Sequence, residues 1–144
     1  MSAGSLPSGV EAELQLAVME ALRSDAGVQA YLGNPARIFD GDSDEPVFPC
    51  VELERHDVRP NGSAGHAGSA HTLSFGLRSR LGGRAEAMRI LSELRRVLDG
   101  FSFSADGLRS VLSQTLYSDV MRTPDLREFR GVLRARIILE GAGE

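Results

Sequence analysis

The chain has no lysine: all 16 basic residues among its 144 are arginine. A Walker-type phosphate loop needs a lysine after its last glycine, so that chemistry is excluded. The bland source of the bias is a GC-rich coding sequence. The functional one is that a planar, forked guanidinium suits bidentate pairs across protein interfaces. Tryptophan is also absent and cysteine occurs once, at Cys50. A lone cysteine cannot form an internal disulfide, which points to a reducing compartment. Cys50 follows "PVFP" and opens an apolar strand-like run, with no helix start or nearby base to activate it, so it is expected as a buried structural thiol. No apolar run approaches the ~20 residues of a membrane span. The opening "MSAGSLPSG" has neither the basic nor the apolar region of a secretory signal. A soluble protein, made in the cytosol and without a membrane partner, is expected.

What is present is an ordinary globular mixture, 42% hydrophobic and 25% charged. At this length one domain over 1–144 is expected, large enough to bury a core without metal or disulfide. The net charge of −4 gives no general attraction to nucleic acid or anionic lipid.

The pattern begins with a flexible stretch at 1–7, then a helix marked by Pro7 and a Ser8–Glu11 capping box. Its apolar stripe is Val10, Leu14, Ala17, Val18, Ala21 and Leu22. "SDAGVQAYLG" predicts a short second helix and "ARIFDG" a short strand, followed by the acidic loop "DGDSDEPVFP". Val51 and Leu53 alternate with Glu52 and Glu54 in a strand over 50–58. In "HTLSFGLRSR", Leu73, Phe75 and Leu77 share one face and Thr72, Ser74, Gly76 and Arg78 the other. The linking residues 59–70, "RPNGSAGHAGSA", carry no large apolar side chain and predict a mobile tip on a long antiparallel hairpin. A second long helix spans about 84–99, with Ala87, Ile90, Leu91, Leu94, Val97 and Leu98 inward and Gly100 at its end. Strands at about 109–121 and 128–140 follow, the latter alternating Leu133, Ala135, Ile137 and Leu139 against Arg134 and Arg136; residues 141–144 form a tail. The order predicts an α+β two-layer sandwich: a mostly antiparallel sheet with two main helices on one face and a polar second face.

Three stretches imitate chemical sites. "SRLGGRAEAM" places two glycines at a helix start, yet the glycines are adjacent, no lysine follows and Glu86 stands close; a tight turn is the simpler reading. Its alternative is an anion site at the exposed helix amides. "DGDSDE" opens like a calcium loop, but position 6 is Glu45 instead of glycine and position 12 is Val51 instead of glutamate. His56, His66 and His71 have no metal-site spacing. Neither a catalytic residue, a cofactor nor a metal site is expected, and no enzyme.

Taken together, "LQLAVMEALRSDAGVQAYLG", "RIFDG", "PVFPCVEL", "FGLRSR", "GGRAEAMRILSELRRVL" and "MRTPDLREFRGVLRARIILE" give a chain that resembles the tail-completion, or tail-terminator, proteins of tailed phages, prophages and gene transfer agents. The resemblance covers nearly the whole length and departs at the tip "NGSAGHAGSA". It implies a virion protein of the head-proximal tail, made in the bacterial cytoplasm. Such proteins form a homo-oligomeric ring, commonly a hexamer, that ends the tail tube and meets the head connector, with DNA only as passing cargo. On that basis Arg134 and Arg136, then Arg78 and Arg80, are the expected subunit-interface residues. Arg59, Asn61, His66 and His71 are the expected tube-contacting residues of the tip. The alternatives are a head-closure or stopper ring of the same neck and a small anion-binding regulatory domain.

Overall fold

The computed structural model describes residues 9–41, 46–62, 67–105 and 107–141. Helix α1 (Val10–Ser24) starts after Gly9, whose φ of 85° turns the chain into the helix. Ser8 lies outside the described residues, and Gly9 provides no side-chain cap. Helix α2 (Ala26–Leu32) is capped by Asp25, whose carboxylate accepts the Val28 N–H at 3.0 Å. Strand β1 (Ile38–Phe39) lies parallel to β2 (Cys50–Pro60), which pairs antiparallel with β3 (Gly68–Ser79). Helix α3 (Gly83–Asp99) crosses to the far side, where β4 (Ser104–Ala105), β5 (Leu108–Arg122) and β6 (Phe129–Gly141) complete the sheet.

The sheet order is β1-β2-β3-β6-β5-β4. Strand β6 therefore inserts between β3 and β5, pairing antiparallel with both. Only the two-residue β1 runs parallel, so the predicted α+β two-layer architecture is what forms. The strands from β2, β3 and β6 carry long alternating apolar runs because one face is covered by helix and the other is not.

The core is the predicted one with additions, except that Ala17 and Ala21 of the α1 stripe are only partly buried. Leu73, Phe75, Leu77, Leu133, Ala135, Ile137 and Leu139 meet Leu14, Val18 and Leu22 of α1 and Ala87, Ile90, Leu94 and Leu98 of α3. Met19 joins the buried face of α1. Val97 is only partly buried against it. Gly131 brings α3 close to the sheet: a Cβ there would stand 3.1 Å from both Leu77 Cβ and Leu91 Cδ1.

The predicted tip is shorter than expected. Arg59 pairs with Ala70 and Pro60 with Ser69, and Asn61 N–H donates to the Gly68 carbonyl at 3.1 Å. The two strands run together to residue 61, because the pairing needs backbone groups and asks little of these small side chains. Residues 63–66, and with them His66, lie outside the described residues.

Candidate interaction surface

The sheet's open face carries arginines in register. Arg55, Ser74, Arg134 and Tyr117 lie opposite one another across β2, β3, β6 and β5. The next row is Asp57, Thr72, Arg136 and Gln114. A shallow cup of about 220 Å³ is lined by Arg55, Asp57, Arg59, Thr72, Ser74 and Arg134. Asp57 pairs with Arg59 at 3.5 Å, the one acid of the cup answering one of its cations. Among the described residues no carboxylate pairs with Arg55, Arg134 or Arg136. The expected outward placement of Arg134 and Arg136 is thus what the sheet produces, and Arg55 joins them.

Arg55 was invisible to strict alternation, which would set it inward after Val51 and Leu53. A β-bulge between Leu53 and Arg55 moves it to the open face. The same bulge turns His56 inward, opposite Leu73.

Arg78 and Arg80 behave differently from the other two. Both hold Glu128, at 2.9 Å from Arg78 Nη2 and 3.0 Å from Arg80 Nη2 to the same carboxylate oxygen. Their guanidiniums also lie over the Phe48 ring, Arg80 at 4.0 Å and Arg78 at 4.9 Å from its centroid. Glu128 is buried, and the Arg78 hydrogen bond, then that of Arg80, holds its carboxyl below the usual glutamate range. These two arginines tie the end of β3 to the β5–β6 turn and to the segment before β2. They are committed within the chain, a role their exposed-looking strand positions did not signal.

His71 is likewise removed from the tip. It is fully buried on the inner face, opposite Ile137, so it is not a surface for a partner. Its Nδ1 lies 2.8 Å from His56 Nε2, and its Nε2 lies 2.7 Å from Ser69 Oγ. His56 Nδ1 in turn is 3.2 Å from Gln15 Oε1, and Gln15 Nε2 donates to Asp40 at 2.8 Å. Arg59 and Asn61 remain exposed near the hairpin end.

The glycine turn holds no anion cradle. Gly83 takes a φ of +71°, as the turn reading requires. At Gly82, whose φ is ordinary, a Cβ would stand 2.3 Å from the Glu86 carboxyl carbon. Glu86 therefore folds back over the helix start, where Ser79 Oγ donates to it at 2.8 Å. A negative group of the chain itself occupies the place an anion would seek. Cys50 is buried as expected, and that burial raises its thiol above the ordinary range. Of the calcium-like loop, residues 42–45 lie outside the described residues, and Asp40 accepts the Gln15 amide. No group of three potential metal ligands occurs among the described residues.

The chain is thus a two-layer α+β domain with an open, arginine-bearing sheet face. The family of tail completion protein gp17 matches residues 16–140, and the chain belongs to that family. A chain of the native gene transfer agent virion is similar at 26% identity, with a TM-score of 0.79 over 93% of this chain and 100% of that one. The gp17 protein of bacteriophage SPP1 shares the fold, with a TM-score of 0.62 and 20% identity over 88% of each chain. No curated protein matches the chain in sequence. The family's task, tail completion, is structural.

Proposed function

We propose that this protein ends the tail tube as a homo-oligomeric ring at the head-proximal end of the particle, joining the tube to the head connector while DNA passes through. The observation that carries the reading is the family match over residues 16–140, and the open sheet face supports it. A closed ring needs two different patches on each subunit that meet at a fixed rotation. Arg134 and Arg136, with Arg55 beside them, provide one such patch, and acidic residues of a neighbouring copy complete it. Guanidiniums without a carboxylate partner among the described residues favour such a partner across an interface. Arg78 and Arg80 enter this reading only as braces for the patch, since Glu128 already engages both.

The end of the β2–β3 hairpin, with Arg59 and Asn61, contacts the tail tube in this reading. The ladder to residue 61, with β3 paired to β6 along its whole length, makes it a firm edge of the sheet rather than a loose loop. Replacing 62–66 with a two-residue turn keeps the pairing of Arg59 with Ala70 and Pro60 with Ser69, and spares Ala67, which accepts from Gly141; it should impair tail attachment.

Electron microscopy of particles from a producer strain lacking the gene tests the function directly. Overlong or unattached tubes beside tailless heads are expected. Normal tails would refute the reading.

A further inference from the structure

The sheet stops at β5 before the helix above it does. Beyond β5, β4 pairs only as far as Arg109, and the Thr115 N–H is taken by Asp99 Oδ1 at 2.8 Å. From Leu116 to Arg122 no described residue pairs with the side of β5 turned away from β6. A row of free N–H and C=O groups at a sheet edge is a template for another strand.

Over that edge hangs one stripe of α3. Arg84, Met88, Leu91, Ser92 and Arg95, at helical spacing, line a groove of about 340 Å³ with Ser118, Asp119 and Val120. Met88 is 55% exposed, an apolar side chain turned to solvent at the edge of the groove. Arg84 and Arg95 bracket it, and no described carboxylate pairs with either. Arg84 contacts the Phe129 ring at 5.6 Å, and Arg95 donates only to Ser92, at 3.4 Å. A cation in the first turn of a helix is unfavourable beside the helix dipole, so Arg84 is poorly served by its own chain. The single acid of the groove, Asp119, accepts from the Tyr117 hydroxyl at 3.3 Å.

We propose that the edge of β5 at 116–122, together with the α3 stripe above it, is a docking site for an extended segment of a partner protein with an apolar residue flanked by carboxylates. Such a segment joins the sheet as a further strand, with backbone bonds for affinity and alternate side chains for specificity. The spacing defines the pattern. Arg84 and Arg95 are about 16 Å apart along the helix axis at 1.5 Å per residue. On one face of a strand, acids four residues apart stand about 13 Å from each other, and the length of the two arginine side chains spans the difference. Every second side chain of the added strand faces α3, so the matching pattern is acid, any, apolar, any, acid, with the apolar side chain beside the exposed Met88. The groove shares the edge strand with the open face, where Tyr117 stands opposite Arg134, but its lining includes none of Arg55, Arg134 and Arg136, so the two proposals can fail separately.

The test is a titration of the ¹⁵N-labelled full chain with the capped heptapeptide TETVTET, followed by amide NMR. Saturable shifts at 116–122 and along 84–95 are expected. The exposed double variant Arg84→Glu/Arg95→Glu, checked for an unchanged fold by its remaining amide resonances, should bind at least tenfold more weakly. The swapped peptide TKTVTKT should bind that variant better than the wild type. Absence of saturable shifts, shifts elsewhere, or equal affinity for the double variant would each overturn the proposal. So would an eight-nucleotide oligo(dT) giving the same shifts at lower concentration, since the groove would then select polyanions and not a strand.

Discussion

His71 Nδ1 and His56 Nε2 face each other at 2.8 Å across the β2–β3 hairpin, inside the protein. Their bond has a fixed direction. Gln15 donates its amide to Asp40, so its Oε1 must accept from His56 Nδ1–H. His56 Nε2 then accepts from His71 Nδ1–H, and His71 Nε2 accepts from Ser69. Each ring is neutral in this chain: a proton added to His56 Nε2 sets a donor against the His71 Nδ1–H, and one added to His71 Nε2 forces the Ser69 hydroxyl to turn and accept beside a buried charge.

Burial pushes His71 down to about 4 from 6.5, with the charge on His56 adding to the effect; burial lowers His56 as well. Glu11 opposes both shifts and Asp57 that of His56, without reversing them. The folded state thus binds fewer protons than the unfolded one below pH 6.5. Stability is full above pH 6.5 and declines as pH falls toward 4, by up to about 1.4 kcal/mol per unit for His71. Urea midpoints measured from pH 7.5 to 4.5 should show this slope, and His71→Leu should flatten it. A wild-type profile flat between pH 6.5 and 5 would contradict the assignment.

Glu128 is a second buried joint. Replacing it with alanine strands Arg78 and Arg80 beside the Phe48 ring and cuts the link between β3 and the β5–β6 turn. The arginines keep some contact with water, so the cost is about 1–3 kcal/mol, below that of a fully buried pair. Thermal unfolding compared with Arg80→Ala, whose partner retains Arg78, should show the larger loss for Glu128→Ala.

Gly131 fixes the helix–sheet distance. Valine there adds a branched side chain where even a Cβ crowds Leu77 and Leu91 at 3.1 Å. Overpacking of this kind costs about 1–3 kcal/mol. Chemical denaturation of Gly131→Val should report it, whereas valine at Gly107, which has open space but a φ of +78°, probes backbone strain alone.

Arg134→Glu reverses a charge on an exposed strand position and should leave the folded chain's stability within about 0.5 kcal/mol. Particle assembly in a strain carrying only this variant should nevertheless fail or yield detached tails. Normal particles with normal stability would remove Arg134 from the interface.

The sequence by itself determined the elements and the face each one buries. The period-two runs at 71–80 and 128–140 and the 3.6-residue stripe of α3 are local signals, because a side chain's direction is set by its own backbone geometry. The glycine turn at 82–83 was legible for the same reason. Register was decided only by the tertiary structure. The bulge between Leu53 and Arg55 reverses the alternation downstream, putting Arg55 beside Arg134 and His56 against His71. Nothing in "VELERHDV" announces it, since a bulge is a relation between two strands. The insertion of β6 between β3 and β5, which brings Glu128 to Arg78 and Arg80 from about fifty residues away, is likewise a choice of partners. Composition fixes what a strand buries; only pairing fixes what it meets.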